Sequence, residues 1–208
     1  MEFKLLTLRM NYLAHAYLSF NQPEILLGNM ISDFVKGKKQ YDYERIILAG
    51  IKLHRSIDSF TDDHKATAAI KKLFRPAYGL YSGAFADIVY DYFLANDSAQ
   101  FANNSVLESF ARETYLSLEK NINITPATFQ QIFPYMKEHN WLYNYRHIWA
   151  IQRSFAGLAR RAKYITETET AFRVFENNIP QMKPYYEEFF PLLKNHAAYT
   201  LQELLKPD

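Results

Sequence analysis

The sequence has no cysteine, and only six of its 208 residues are glycine. Without cysteine there are no disulfides, thiolate metal sites or cysteine nucleophiles, so any metal must be bound by His, Asp, Glu or main-chain oxygen. The chain also lacks Asn-Gly and Asp-Gly pairs, which are the strongest short signals for a β-hairpin. The composition therefore argues against a disulfide scaffold and against an antiparallel sheet.

Excess charge of one sign is also lacking, because 24 Lys and Arg oppose 22 Asp and Glu for a net charge of +2. Binding to a phosphate backbone usually needs a strongly basic surface, so we predict no nucleic-acid partner. Charges at Glu2, Lys4 and Arg9 interrupt the N-terminus, and the uncharged run from Met10 to Pro23 is too short to span a bilayer. We therefore predict a soluble, cytoplasmic protein with no membrane segment.

Hydrophobic residues are abundant, at 49% of the chain, and 16% of the residues are aromatic. They recur at helical rather than alternating spacing, so we predict an all-α fold. A chain of this length is expected to form one compact domain with a substantial core. The predicted helices cover 11–18, 23–35, 42 to about 62, 64–74, 82–95, 104–120, 126–139, 141–163, 168–177 and 181–205.

Two of these helices carry acidic residues on apolar faces. Ile51, His54 and Asp58 share one stripe of the third helix, and Asp87 and Asp91 are the only charged residues between Gly83 and Ala95. A buried carboxylate needs a partner, and two carboxylates one turn apart repel each other. A metal ion would satisfy all of them. Each pair also has an alternative without a metal. His54 and Asp58 could hydrogen-bond each other or cap a neighbouring helix, and Arg55 could neutralise Asp87 and Asp91.

Asp33 and His15 are also embedded among apolar residues. Each taken alone is a common kind of satisfied polar group in a core. Together with the residues above, they make two histidines and four aspartates on four segments of the first half. In a helical bundle these segments are predicted to converge as a site of nitrogen and oxygen ligands, suited to Mn²⁺, Mg²⁺, Fe²⁺ or Zn²⁺.

Four blocks of the sequence carry a resemblance to a known family. They are MNYLAHAYLS from Met10, LLGNMISDFVKG from Leu26, GIKLHRSIDSFTDDH from Gly50 and DIVYDYFLAND from Asp87. In this order they resemble the acyl carrier protein phosphodiesterase family, a divergent branch of the HD-type metal-dependent phosphohydrolases. The resemblance implies one HD-domain-like helical domain over residues 10–208 and leaves 1–9 as an unmatched leader.

The resemblance also implies an activity and a site. The family hydrolyses the phosphodiester of holo-acyl carrier protein with a divalent ion, preferably Mn²⁺, and releases 4′-phosphopantetheine and apo-carrier. On matching positions, the implied metal ligands are Asp33, His54, Asp58, Asp87 and Asp91. The implied catalytic residues are Asp33 and His15, to which we add Arg55 because it lies beside His54. His15 and Asp87 match the family either as metal ligands or as groups that support the metal.

A carrier protein of this kind is acidic, so we expect a basic docking surface. Arg146, Arg153 and Arg160 recur every seven residues, and a second basic group comprises Lys36, Lys38 and Lys39. The alternative is a solvated charged face without a partner. Two other functions stay open at this point: hydrolysis of another phosphate ester such as a nucleotide, and a non-enzymatic helical protein that binds an acidic partner.

Overall fold

A computed structural model describes residues 12–207, and every regular element in this part of the chain is helical. The predicted all-α class is therefore confirmed, whereas the predicted leader, 1–9, lies outside the described residues. The α-helices are α1 (Tyr12–Tyr17), α2 (Pro23–Ile31), α3 (Arg45–Asp63), α4 (Lys65–Tyr78), α5 (Ser82–Ala95), α6 (Asn104–Lys120), α7 (Ala127–Glu138), α8 (Trp141–Asn144), α9 (Ile148–Ala159) and α10 (Glu169–Leu205). Short 3-10 helices span Ser32–Phe34, Gly37–Asp42, Gly79–Tyr81 and Ile122–Ile124.

The segment between α2 and α3 differs from its prediction. The prediction that α2 runs to residue 35 is wrong, because it ends at Ile31 and Asp33 lies in the following 3-10 helix. The Ser32 hydroxyl donates to the Ile51 carbonyl at 3.2 Å and fixes this turn against α3. Asp42 does not cap α3 as predicted, because it ends a 3-10 helix and the extended Glu44 precedes the first turn.

Two helix boundaries in the second half were also predicted wrongly. The expected helix over 141–163 is split into α8 and α9, because His147 is extended and ends the intervening turn. The two helices expected between 168 and 205 are one, α10, which continues through Pro180, Pro184 and Pro191. A proline removes one hydrogen bond from a helix, but α10 packs across α3, α4, α5 and α9, and this apolar contact holds it together.

Helices α2 and α3 cross at two glycines. A β-carbon on Gly28 would overlap the Ile47 carbonyl oxygen, and one on Gly50 would overlap the Ile25 carbonyl oxygen. Only glycine permits so close an approach of two backbones. The crossing sets the last turn of α2 against the middle of α3, where His54 is located.

Helix α10 supplies a large part of the core. Tyr186, Phe189, Phe190, Leu193 and Leu201 are all buried in the core. The described helices include none with the length and apolarity that a bilayer crossing requires.

Candidate metal centre

Two buried histidines from different helices lie face to face at the centre of the fold. His15 of α1 and His54 of α3 have ring centroids 3.8 Å apart and planes inclined by 14°. Two carboxylates border their Nε2 atoms. Asp58 lies 3.4 Å from His15 Nε2 and 3.3 Å from His54 Nε2, and Asp33 lies 3.4 Å from His54 Nε2. Two histidines and two aspartates thus meet at one point.

A single residue of α2, Asn29, orients both rings. Its side-chain oxygen faces His15 Nδ1 at 2.8 Å, and its main-chain oxygen faces His54 Nδ1 at 2.7 Å. A carbonyl oxygen only accepts, so His54 must carry its proton on Nδ1. The Asn29 amide nitrogen donates to the His15 carbonyl at 2.9 Å and to Ser19 Oγ at 3.1 Å, which leaves the amide oxygen to accept from His15 Nδ1. In neutral rings both Nε2 lone pairs therefore point at the carboxylates.

The donor set fits a divalent metal ion. Among residues 12–207, neither His15 Nε2 nor His54 Nε2 has a hydrogen-bond partner, although both atoms are fully buried. One ligand atom from each of His15, His54 and Asp58 lies within 4.8 Å of the other two. Ligands at 2.0 to 2.2 Å from a common ion are at most about 4.4 Å apart, and the separations of 3.4 and 3.3 Å from Asp58 to the two Nε2 atoms lie within that limit. The hydrogen bonds from Nδ1 match the usual outer support of a metal-binding histidine.

The electrostatic field at this point favours a positive charge. Burial lowers the pKa of His54, but the carboxylates of Asp33 and Asp58 outweigh it and raise that pKa to about 10. For His15, burial and the neighbouring His54 charge lower the pKa. Burial would raise the pKa of Asp58, but the two histidines hold it below its ordinary value. Two cationic histidines in stacked contact would repel each other, so the two carboxylates are better matched by one cation at the Nε2 edges of the rings.

The two aspartates of α5 are not among the ligand atoms that lie within 4.8 Å of one another at this point. Asp91 accepts from the main-chain N–H groups of Leu13 and Ala14 at 3.1 and 2.9 Å and caps the start of α1. Because these two hydrogen bonds satisfy the Asp91 carboxylate, it needs neither a metal ion nor Arg55 as a partner. Burial raises the pKa of Asp91 well above its ordinary value, while the two amides oppose this effect. Asp87, one turn earlier, lines a different cavity together with Lys71 and Arg75.

Comparison with known proteins identifies the family of the chain. The family model described as acyl carrier protein phosphodiesterase matches residues 10–193. The chain belongs to the acyl carrier protein phosphodiesterase family. Similar proteins with that name come from Photorhabdus laumondii, 28% identical over 90% of this chain and 95% of the relative, and Serratia proteamaculans, 29% identical over 90% and 97%. A third, from Yersinia pestis, is 29% identical over 91% of this chain and 98% of its own. No solved structure matches the chain.

Within this family member, Arg55 holds a loop rather than facing the histidines. Its guanidinium donates to Gln40 Oε1 at 2.7 Å and to the Val35 carbonyl at 3.2 Å. Both bonds go to the segment that follows Asp33. Arg55 therefore ties that segment to α3 and helps to fix the position of the Asp33 carboxylate.

The two predicted basic groups, the lysines after Asp33 and the arginines around α9, differ in how they are arranged. Lys36, Lys38 and Lys39 are exposed and begin three residues after Asp33. The seven-residue spacing of Arg146, Arg153 and Arg160 does not form one helical stripe, because Arg146 precedes α9 and Arg160 follows it. The Arg146 guanidinium donates to the Tyr143 hydroxyl at 2.8 Å, whereas Arg153 and Arg160 are exposed.

Asn29 is the functional residue that sequence reasoning missed. It is fully buried, and it is the only polar residue between Leu26 and Ile31. A single amide in an apolar helix one turn before Asp33 was a usable signal. Its two partners, however, come from α1 and α3, and no local pattern connects them.

Proposed function

We propose that this chain hydrolyses the phosphodiester of holo-acyl carrier protein and releases 4′-phosphopantetheine and apo-carrier. The observation that carries the proposal is the pair of buried histidine Nε2 atoms without hydrogen-bond partners, directed at two carboxylates. The relatives named acyl carrier protein phosphodiesterase supply the substrate.

His15, His54 and Asp58 would hold the ion, with Asp33 as a fourth ligand or as its neighbour. We expect Mn²⁺, with Mg²⁺, Fe²⁺ and Zn²⁺ as other candidates, because two imidazoles and two carboxylates suit all four. When bound, such an ion supplies Lewis acidity to a phosphoryl oxygen and makes water more acidic. Asp87 and Asp91, whose atoms are not grouped with the three ligands, are not part of the proposed set.

The substrate approaches from the carboxylate side in this proposal. The histidine side chains are only 2% and 5% exposed, whereas those of Asp33 and Asp58 are 15% and 16% exposed. Water adds to phosphorus, the bond from phosphorus to the carrier serine oxygen breaks, and that oxygen takes up a proton. Asp33 is the group we assign to orient the attacking water and to accept its proton at a carboxylate oxygen.

The carrier is expected to dock beside Asp33. Lys36, Lys38 and Lys39 lie on the exposed segment that leads away from this residue, and Arg55 holds that segment in place. An acidic carrier would be attracted to these lysines, and Arg153 and Arg160 would extend the basic surface on α9. Cytoplasmic location stays a prediction.

The test is to incubate the purified protein with holo-acyl carrier protein and Mn²⁺ and to weigh the carrier by mass spectrometry. We expect the carrier to lose the mass of phosphopantetheine. Asp33→Ala is the matched variant, which should lose turnover while its circular dichroism stays helical. An unchanged carrier mass after prolonged incubation with the metal-loaded protein would refute the proposed function, and release of phosphate from nucleotides in the same assay would redirect it.

A further inference from the structure

A largely apolar cavity of about 560 Å³ lies between α8 and α9. Its volume is in the range of small-molecule sites. Its wall combines aromatic rings, one glycine and arginines: Trp141, Tyr145, Trp149, Arg153, Gly157 and Arg161. The Arg153 guanidinium lies 5.0 Å from the centre of the Trp149 ring. A site of this composition suits an extended, mostly apolar molecule with an anionic end.

Tyr12 connects this cavity to the candidate metal centre. The Trp141 ring in the cavity wall is 6.1 Å from the Tyr12 ring, and Tyr12 lies one turn before His15 on α1. The pKa of Tyr12 is raised to about 12, chiefly by burial. The charge of Arg161 and a hydrogen bond with it oppose this rise, whereas the charge of Asp33 adds to it. The Tyr12 hydroxyl is thus under the electrostatic influence of both an arginine that lines the cavity and a carboxylate of the centre.

The position and chemistry of the cavity match one part of the proposed substrate. If the phosphodiester lies at the metal centre, the pantetheine chain must extend into a neighbouring space. That chain carries methyl groups, methylenes and amides, and its one charged end is the phosphate. Arg161 lines the cavity and also interacts with Tyr12, so it is the cavity arginine that we assign to a phosphate shared with the centre.

We propose that the cavity between α8 and α9 binds the 4′-phosphopantetheine arm of the substrate, with Trp141, Tyr145 and Trp149 against the chain and Arg161 near the phosphate. This inference rests on the proposed function for the identity of the arm. It places Arg153, a residue of the basic surface on α9, and Arg161 beside the arm.

Binding to the cavity can be measured without turnover. The chain contains only two tryptophans, and both line this cavity. Free 4′-phosphopantetheine, titrated into the full-length protein, should therefore change the intrinsic tryptophan fluorescence in a saturable way. Pantetheine without phosphate should bind more weakly, and inorganic phosphate alone should leave the fluorescence unchanged.

Gly157→Leu fills the cavity with little risk to folding. A β-carbon on Gly157 would meet only the Arg160 guanidinium at 3.9 Å, and the residue is helical. Gly83→Leu is the matched control, because Gly83 is another helical glycine beside a different cavity and its β-carbon would meet only Lys71 at 3.8 Å. We expect Gly157→Leu to weaken 4′-phosphopantetheine binding and to lower kcat/KM for holo-carrier by at least about tenfold. Gly83→Leu should match the wild type in both.

The results separate this inference from the proposed function. If the wild type cleaves holo-carrier but 4′-phosphopantetheine leaves the tryptophan fluorescence unchanged, or binds Gly157→Leu as tightly as the wild type, the cavity is not the arm site. If the wild type leaves holo-carrier intact, the proposed function fails. In that case a saturable fluorescence change that is lost only in Gly157→Leu would still support the cavity as a site for free 4′-phosphopantetheine.

Discussion

Asn29→Ala tests whether one amide sets the geometry of the metal centre. The substitution removes three buried hydrogen bonds of the side chain, to His15 Nδ1, the His15 carbonyl and Ser19 Oγ. It leaves the main-chain carbonyl that accepts from His54 Nδ1. The change therefore releases His15 while His54 stays oriented.

Two magnitudes follow from this geometry. Each net hydrogen bond contributes about 1 kcal/mol, so the apoprotein should lose about 3 kcal/mol in free energy of unfolding. Loss of an outer-shell partner of a metal-binding histidine typically weakens metal affinity by about 10 to 100 times. Urea unfolding in a chelating buffer measures the first quantity, and calorimetric titration with Mn²⁺ measures the second.

Ser19→Ala is the control, because it should lower stability while leaving the orientation of the His15 ring unchanged. Ser19 Oγ donates to the His15 carbonyl at 2.8 Å and accepts from Asn29, but it does not contact the His15 ring. Two hydrogen bonds are lost, so we expect a loss of about 2 kcal/mol in stability and nearly unchanged Mn²⁺ affinity. If Asn29→Ala binds Mn²⁺ as tightly as Ser19→Ala does, Asn29 does not orient the ligand and the reasoning is refuted.

Further predictions concern the helix crossing, the α1 cap, the metal and the docking surface. Gly50→Ala should destabilise the protein by about 1 to 3 kcal/mol in urea unfolding, because its β-carbon overlaps a main-chain oxygen; unchanged stability would contradict the tight crossing. Asp91→Ala should lose about 1 kcal/mol as a lost helix cap yet keep Mn²⁺ affinity by calorimetry, whereas a large loss of affinity would make Asp91 a ligand. Mn²⁺ at about 100 times its Kd should stabilise the chelator-treated protein by about 2.7 kcal/mol in thermal unfolding, and an unchanged Tm would argue against the centre. Changing Lys36, Lys38 and Lys39 to Glu should raise KM for holo-carrier and weaken its dependence on salt; identical kinetics would remove these lysines from the docking surface.

Some features followed from the sequence alone because they depend on local spacing. The apolar residues at helical intervals predicted the all-α class, and the polar residues on those apolar faces identified a group that needs an explanation: His15, Asp33, His54, Asp58, Asp87 and Asp91. These inferences hold because a carboxylate on a buried helix face requires a partner wherever that helix is packed.

Helix ends and turns were less predictable, because packing overrides local preference. The C-terminal segment was expected to form two helices, 168–177 and 181–205, yet α10 continues through Pro180, Pro184 and Pro191 where its apolar face meets the core. The expected helix over 141–163 is instead broken into α8 and α9 around Arg146. This break removes the predicted arginine stripe and separates α8 from α9, the two helices that line the apolar cavity.

Only the tertiary structure decided which acidic residues meet the histidines. On its helix, Asp91 looks the same as Asp58, since both interrupt an apolar face one turn from another polar residue. The crossing of α2 and α3 at Gly28 and Gly50 brings His54 to Asn29 and thereby to His15. Asp91, by contrast, meets the free N–H groups at the start of α1. The sequence determines which polar groups are buried, but their partners come from other helices, and only the packing of those helices selects them.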